Sequence, residues 1–251
     1  MFEPYISSFP PNSQNNKILS AYGVYITDFS CAPALDTELW KGEGRNSFIL
    51  VKQNVGLQVI NLSVVFENVT GNIESNIRAF EALLLGKFTL DVGDGYIYQC
   101  SLNSIGFPVW AGSVFCAKEY VLSGFKMLPM MERVFTRSEG TERNVFKATV
   151  NCESTVPKTD CRVVVSGTFD IARKIITIGN HVFDTQYALT SPLDIDGINK
   201  TLKANGENCI SKFLWDDFPY FEHGNNVITV KNATYPVDNI SVTVQFYPTF
   251  L

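Results

Sequence analysis

Apolar and polar residues alternate cleanly at two places far apart in the chain. Ile60, Leu62, Val64 and Phe66 share one face of a stretch whose other face carries Asn61, Ser63 and Glu67. Near the far end Ile240, Val242, Val244 and Phe246 alternate with Ser241, Thr243 and Gln245. A period of two places successive side chains on opposite faces of a strand, so both stretches predict half-buried β-strands. Phe146, Ala148, Val150 and Cys152 repeat the pattern, and Val163–Val165 and Ile175–Ile178 are short β-branched runs. One window departs from period two. Ile73, Ile77, Phe80 and Leu84 recur at helical spacing and predict a helix over about 73–85. Asn72 suits its N-cap, Glu74 its positive end and Gly86 its stop.

Turn signals separate the strand-like runs. Asp94-Gly95 predicts a hairpin turn, and Phe107–Gly112 reads as a bend. Gly179-Asn180, Asp194–Gly197 and Gly224–Asn226 punctuate the second half. Short strands at regular turn spacing predict a mainly β chain of the sandwich or jelly-roll kind. Residues 1–20, rich in Pro, Asn and Ser, read as an arm. The polar stretch Thr136–Arg143 predicts a domain boundary, dividing the chain into residues 1–135 and 136–251.

Composition narrows the function. Of 251 residues, 45% are hydrophobic and 13% aromatic. Charged residues make up 18%, below the usual ~25%. The net charge is −5 with no basic cluster, which argues against a nucleic-acid partner. The first residues show no basic segment before an apolar run, and no stretch has the ~18 apolar residues of a membrane helix. The expectation is a chain folded in a cytoplasm, without membrane insertion. Its six cysteines are then expected as free, mostly buried thiols.

No catalytic constellation stands out. His181 and His223 are the two histidines, both at expected turn-to-strand edges, and no Gly-x-Ser-x-Gly elbow precedes a helix. Gly42-Glu43-Gly44 and Gly93-Asp94-Gly95 open no helix and read as turns rather than phosphate loops. Asp194-Ile195-Asp196-Gly197 lacks the remaining ligands of a calcium loop and reads as an exposed turn. No metal or cofactor is expected, and no enzymatic activity. Trp215, Tyr220 and Phe221, within a run of five aromatics in nine residues, are candidates for stacking on sugars or anchoring a protein partner, against the alternative of closing a core. Trp40 sits at an expected hairpin tip, where a large aromatic suggests an interface.

The order of these features resembles the distal tail proteins of phages infecting Gram-positive bacteria. The parallels are a strand near Tyr22–Phe29, an excursion through Trp40 to Val55, the strand Gly56–Phe66, one helix, and the Asp94-Gly95 hairpin. Phe218-Pro219-Tyr220-Phe221, followed by Gly224, Asn226 and Ile228, is similar to the family's C-terminal segment, as is the ending Tyr247-Pro248-Thr249-Phe250-Leu251. The family more often has a smaller apolar residue at Phe221 and a basic one at Thr249. The resemblance implies an N-terminal β-sandwich with one α-helix and a protruding β-hairpin at about 31–55, and a C-terminal galectin-like or carbohydrate-module-like β-sandwich. It implies a homo-hexameric ring in the tail tip of the virion. Trp40, Arg45 and Phe48 of the hairpin would meet the neighbouring subunit. The ring would join the tail tube protein to the tail-associated hub protein, and the C-terminal sandwich would hold receptor-binding or other baseplate proteins. A lectin-like module binding glycans weakly is the alternative.

Overall fold

The computed structural model describes residues 2–9, 11, 13–33, 35–40, 49–68, 71–136, 144–167, 173–187, 189, 191–232 and 240–250, with the backbone alone at 35–40 and 49–55. The chain is mainly β and divides into two units, Met1–Met127 and Leu128–Phe250.

The first unit contains β1 (Tyr5–Ser8), β2 (Lys17–Ile18), β3 (Val24–Ala32), β4 (Leu35–Trp40), β5 (Ile49–Val55) and β6 (Gln58–Glu67). After the helix α1 (Ile73–Leu83) come β7 (Lys87–Asp91), β8 (Ile97–Ile105), β9 (Val109–Ala111) and β10 (Phe115–Met127). The main sheet runs β2-β1-β7-β8-β10-β6-β3 with antiparallel neighbours. Ile60, Leu62, Val64 and Phe66 are buried as their alternation requires. They pack with Ile73, Ile77, Phe80 and Leu84, the apolar stripe of α1. Phe80 stands edge-on to Phe66 at 5.6 Å and to Tyr120 at 5.5 Å. Each fully buried ring contributes roughly 1.5–3 kcal/mol of hydrophobic stabilisation. Asn72 caps the helix by accepting the Ser75 N–H at 3.2 Å. The helix ends slightly before its expected limit, because Gly86 takes a left-handed φ of 81° and turns the chain into β7.

β4 and β5 form a two-stranded sheet of their own. The hairpin was expected from residue 31, but Cys31 and Ala32 stay in the main sheet opposite Ile60 and Val59. The excursion thus leaves β3 and returns to β6, its ladder neighbour. Phe107–Gly112 is more than a bend. Gly106 N donates to Glu119 O at 2.7 Å, Pro108 has no N–H to continue the ladder, and β9 then resumes pairing on β10 from Ala117 to Phe115.

The second unit contains β11 (Met131–Thr136), β12 (Val145–Cys152), β13 (Thr159–Ser166), β14 (Lys174–Ile178), β15 (His181–Thr185), β16 (Leu193–Asp196), β17 (Thr201–Ala204), β18 (Glu207–Asn208), β19 (Tyr220–Phe221), β20 (Gly224–Asn232) and β21 (Ser241–Phe246). One sheet runs β11-β21-β13-β16-β17-β18 and another β12-β20-β14-β15. Alternate residues of both enter one core: Phe146, Ala148 and Val150 of β12, Val163 and Val165 of β13, Ile228 and Val230 of β20, Val242 and Val244 of β21. This is the two-sheet packing of a β-sandwich. The division between units falls at Met127/Leu128 instead of the expected 135/136. β11 pairs from Met131 to Thr136 with β21, so those residues fold with the second unit.

Asp194–Gly197 is not an exposed turn. Asp196 is buried, and its carboxylate accepts from Ile198 N and Asn199 N, both at 2.9 Å, and from Asn199 Nδ2 at 2.7 Å. Its oxygens are therefore occupied by the loop that follows.

Candidate interaction surfaces

Trp40 lies in β4 opposite Ile49 in β5, next to the hairpin's connecting segment. Arg45 and Phe48 lie outside the described residues.

The aromatic run of the second unit is divided by the fold. Phe221 is fully buried and stands edge-on to Phe246 at 5.4 Å. It is a core side chain with no face for a sugar or partner, which corrects its place among the candidate binding aromatics. Trp215 is half-buried, stacked over Phe183 at 6.3 Å and edge-on to Phe218 at 4.7 Å. Tyr220, also half-buried, meets the His181 ring at 4.4 Å and has Lys158 Nζ over its face at 4.4 Å. Trp215 and Tyr220 thus spend much of their area on their own chain.

His181 is buried beneath this run, with Nδ1 3.3 Å from Asp216 Oδ2. That is ion-pair distance, but the alignment misses hydrogen-bond geometry and neither ring nitrogen has a hydrogen-bond partner. Burial pushes the Asp216 carboxyl up. The Asp217 and Asp216 backbone N–H groups and His181 outweigh it, holding the carboxyl below its ordinary value. His223 Nδ1 lies 2.9 Å from the Ser154 carbonyl oxygen. Neither histidine is hydrogen-bonded to a nucleophile, as a triad base would be.

A pocket of about 600 Å³ opens beside β15, lined by Arg173, Asp184, Tyr187, Lys212 and Leu214 among others. The Arg173 guanidinium grips the Asp184 carboxylate with two nitrogens and holds it below the usual carboxylate range. On the sheet containing β13, Arg162 binds Asp194 through Nε at 2.9 Å and Nη2 at 2.7 Å, and donates through Nη1 to Gln245 at 3.1 Å. Gln245 in turn donates to Glu132 at 2.6 Å. These ties cross β11, β21, β13 and β16.

The first unit exposes more apolar surface. Every residue from Phe107 to Phe115 is exposed, Phe107 at 93% and Val109 at 67%. No charged residue occurs between Asp94 and Lys118. That gap was visible in the sequence and was the signal to follow. A groove of about 610 Å³ lies elsewhere on the unit, lined by Leu57, Leu84, Leu85, Gln99, Leu102 and Phe125 among others. Leu85 is 73% exposed, and Gln99 Nε2 is buried without a hydrogen-bond partner.

Among the described residues, no three His, Cys, Asp or Glu side chains gather as a metal site requires. No described helix is long and apolar enough to cross a membrane.

The same fold is found in solved phage baseplate proteins. The SPP1 Dit protein, described as a paradigm of the hub adsorption apparatus of phages infecting Gram-positive bacteria, superposes with a TM-score of 0.65 over 99% of each chain at 11% identity. Two baseplate structures of phage P2 in its activated conformation also match. The calcium form gives a TM-score of 0.53 at 7% identity over 94% of this chain and 100% of the other. The strontium form gives 0.54 at 7% identity over 93% and 99%. No family model matches the chain, and no curated protein matches its sequence.

Proposed function

We propose that this chain is a structural, non-enzymatic component of a phage tail tip, six copies of which close into a hub ring. The carrying observation is the end-to-end structural match with the Dit hub protein, which includes both units. The ring would connect the tail tube to the tail-associated hub protein and hold the proteins that recognise the host.

The hairpin β4–β5 supports this reading. An isolated two-stranded hairpin is marginally stable in water, and an arm gains stability by packing on another surface. A neighbouring copy offers such a surface, with Trp40, Arg45 and Phe48 as the contact residues. In a closed ring each subunit uses one patch towards one neighbour and a different patch towards the other. The low charge content suits large obligate contacts.

Negative-stain imaging and light scattering of the purified full chain test the proposal. A six-fold ring at six times the 28.0 kDa chain mass is expected. A stable monomer at micromolar concentration would overturn it.

A further inference from the structure

The exposed apolar segment and the apolar groove of the first unit lie at opposite ends of one ladder. β10 pairs through Phe115–Ala117 with β9 and through Gly124 with Cys100 of β8, beside the groove. Nine residues separate Phe115 from Gly124, about 30 Å at ~3.3 Å per residue. A copy cannot fill its own groove across that distance with a segment fixed to the same strand.

We propose that the Phe107–Phe115 segment of one copy seats in the Leu57–Leu85–Phe125 groove of the next. This rests on the reading of the chain as a ring subunit and names the surfaces that close the ring.

The chemistry of the two surfaces matches. The segment carries Phe107, Val109, Trp110, Val114 and Phe115, all exposed, and no charge. Contiguous apolar surface of this kind marks an interaction site. A charged peptide or a nucleic acid would leave it uncompensated, whereas the groove offers Leu57, Leu85, Leu102 and Phe125, with Lys87 its one charged side chain. A fully exposed aromatic side chain can bring about 150–250 Å² to a contact; Phe107 offers nearly all of its area, and Trp110 and Phe115 a little under half of theirs. The three aromatics and two valines therefore supply several hundred Å², against roughly 800 Å² per partner in a standard interface. The groove also holds an unmet demand, the buried Gln99 Nε2. A backbone carbonyl of the seated segment would supply the acceptor that this amide lacks.

Knob and hole on one unit make a head-to-tail contact, the kind that closes into a ring when successive rotations return to the start. It also makes a specific mixing test. Phe107→Asp ruins the knob and leaves the groove intact; Leu85→Asp does the reverse. Both positions are exposed, so both variants should fold. Circular-dichroism melting checks this, with Phe107→Ser and Leu85→Ser as replacements for any variant that melts early.

In the full chain, each variant alone should lose ring assembly and run as a monomer. An equimolar mixture should form a two-chain complex and nothing larger, because one good knob meets one good hole. Mass photometry reads all three samples. Rings from either variant alone, or a mixture that stays monomeric, would overturn the inference while leaving the ring reading intact. A parent protein that is itself monomeric would overturn both.

Discussion

The Tyr120 hydroxyl of β10 donates to Glu81 Oε1 of α1 at 3.2 Å, and Lys118 Nζ reaches the same oxygen. The helix is therefore tied to the centre of the sheet by a polar contact at the rim of its apolar stripe. Burial, followed by the charge of Glu81 and the hydrogen bond to it, pushes the Tyr120 phenol well up, so it remains a donor throughout the accessible pH range. Tyr120→Phe should cost about 1 kcal/mol, the ordinary value of one hydrogen bond. Glu81→Ala should cost more, roughly 1.5–3 kcal/mol, because it strands the largely buried Lys118 ammonium. Urea midpoints of the two variants give the comparison; equal costs would show that Lys118 finds another acceptor.

The Arg173–Asp184 pair predicts a pH dependence with a definite sign. The hydrogen bonds from Arg173 lower the Asp184 carboxyl in the folded state. A depressed folded value means stability that is present above the unfolded carboxylate value, ~3.9, and lost as pH falls through the folded value. Arg173→Gln should raise the Asp184 titration midpoint towards its ordinary value in NMR. The stability gap between parent and variant should be present at neutral pH and shrink in strong acid. A gap that stays constant across the acid range would refute the linkage.

Two glycines should respond unequally to alanine, for different reasons. At Gly124 a Cβ would stand 2.0 Å from the Gln99 carbonyl oxygen, a backbone atom fixed by the β8–β10 ladder. Gly124→Ala should be among the most damaging small changes in the first unit, costing at least the ~1–3 kcal/mol of an overpacked core. Gly112 has a φ of 69° but nothing within 4 Å of its Cβ position. Gly112→Ala should cost only the left-handed backbone strain, about 1–2 kcal/mol. Thermal melts of both rank them.

Phe221 and Trp215 should separate in the same way. Phe221→Ala empties a fully buried site and should cost about 3–5 kcal/mol. Trp215, partly solvent-facing and stacked on Phe183, should cost less. A Phe221→Ala variant that melts with the parent would place the ring outside the core.

What the sequence disclosed was local. The alternation at Ile60–Phe66 and Val242–Phe246 and the stripe of α1 each contain their own evidence, since one element's burial pattern repeats within it. The boundary was misplaced because β11 finds its partner, β21, more than a hundred residues later, and the polar stretch after Thr136 was the louder local signal. The sequence left Phe221 open between surface and core because β19 is two residues long and shows no period. The groove was invisible for a third reason. Leu57, Leu85, Leu102 and Phe125 come from separate segments, and pairing in register is what brings them together.

The six thiols have a consequence for durability. All six sulfurs are unbridged and all but Cys31 are buried, and desolvation pushes the Cys100 and Cys161 thiols up. The thiolate is the form that oxygen and disulfides attack. Burial shields five of the six sulfurs from such attack, so the covalent connections of the chain are the same in reducing and in aerated medium.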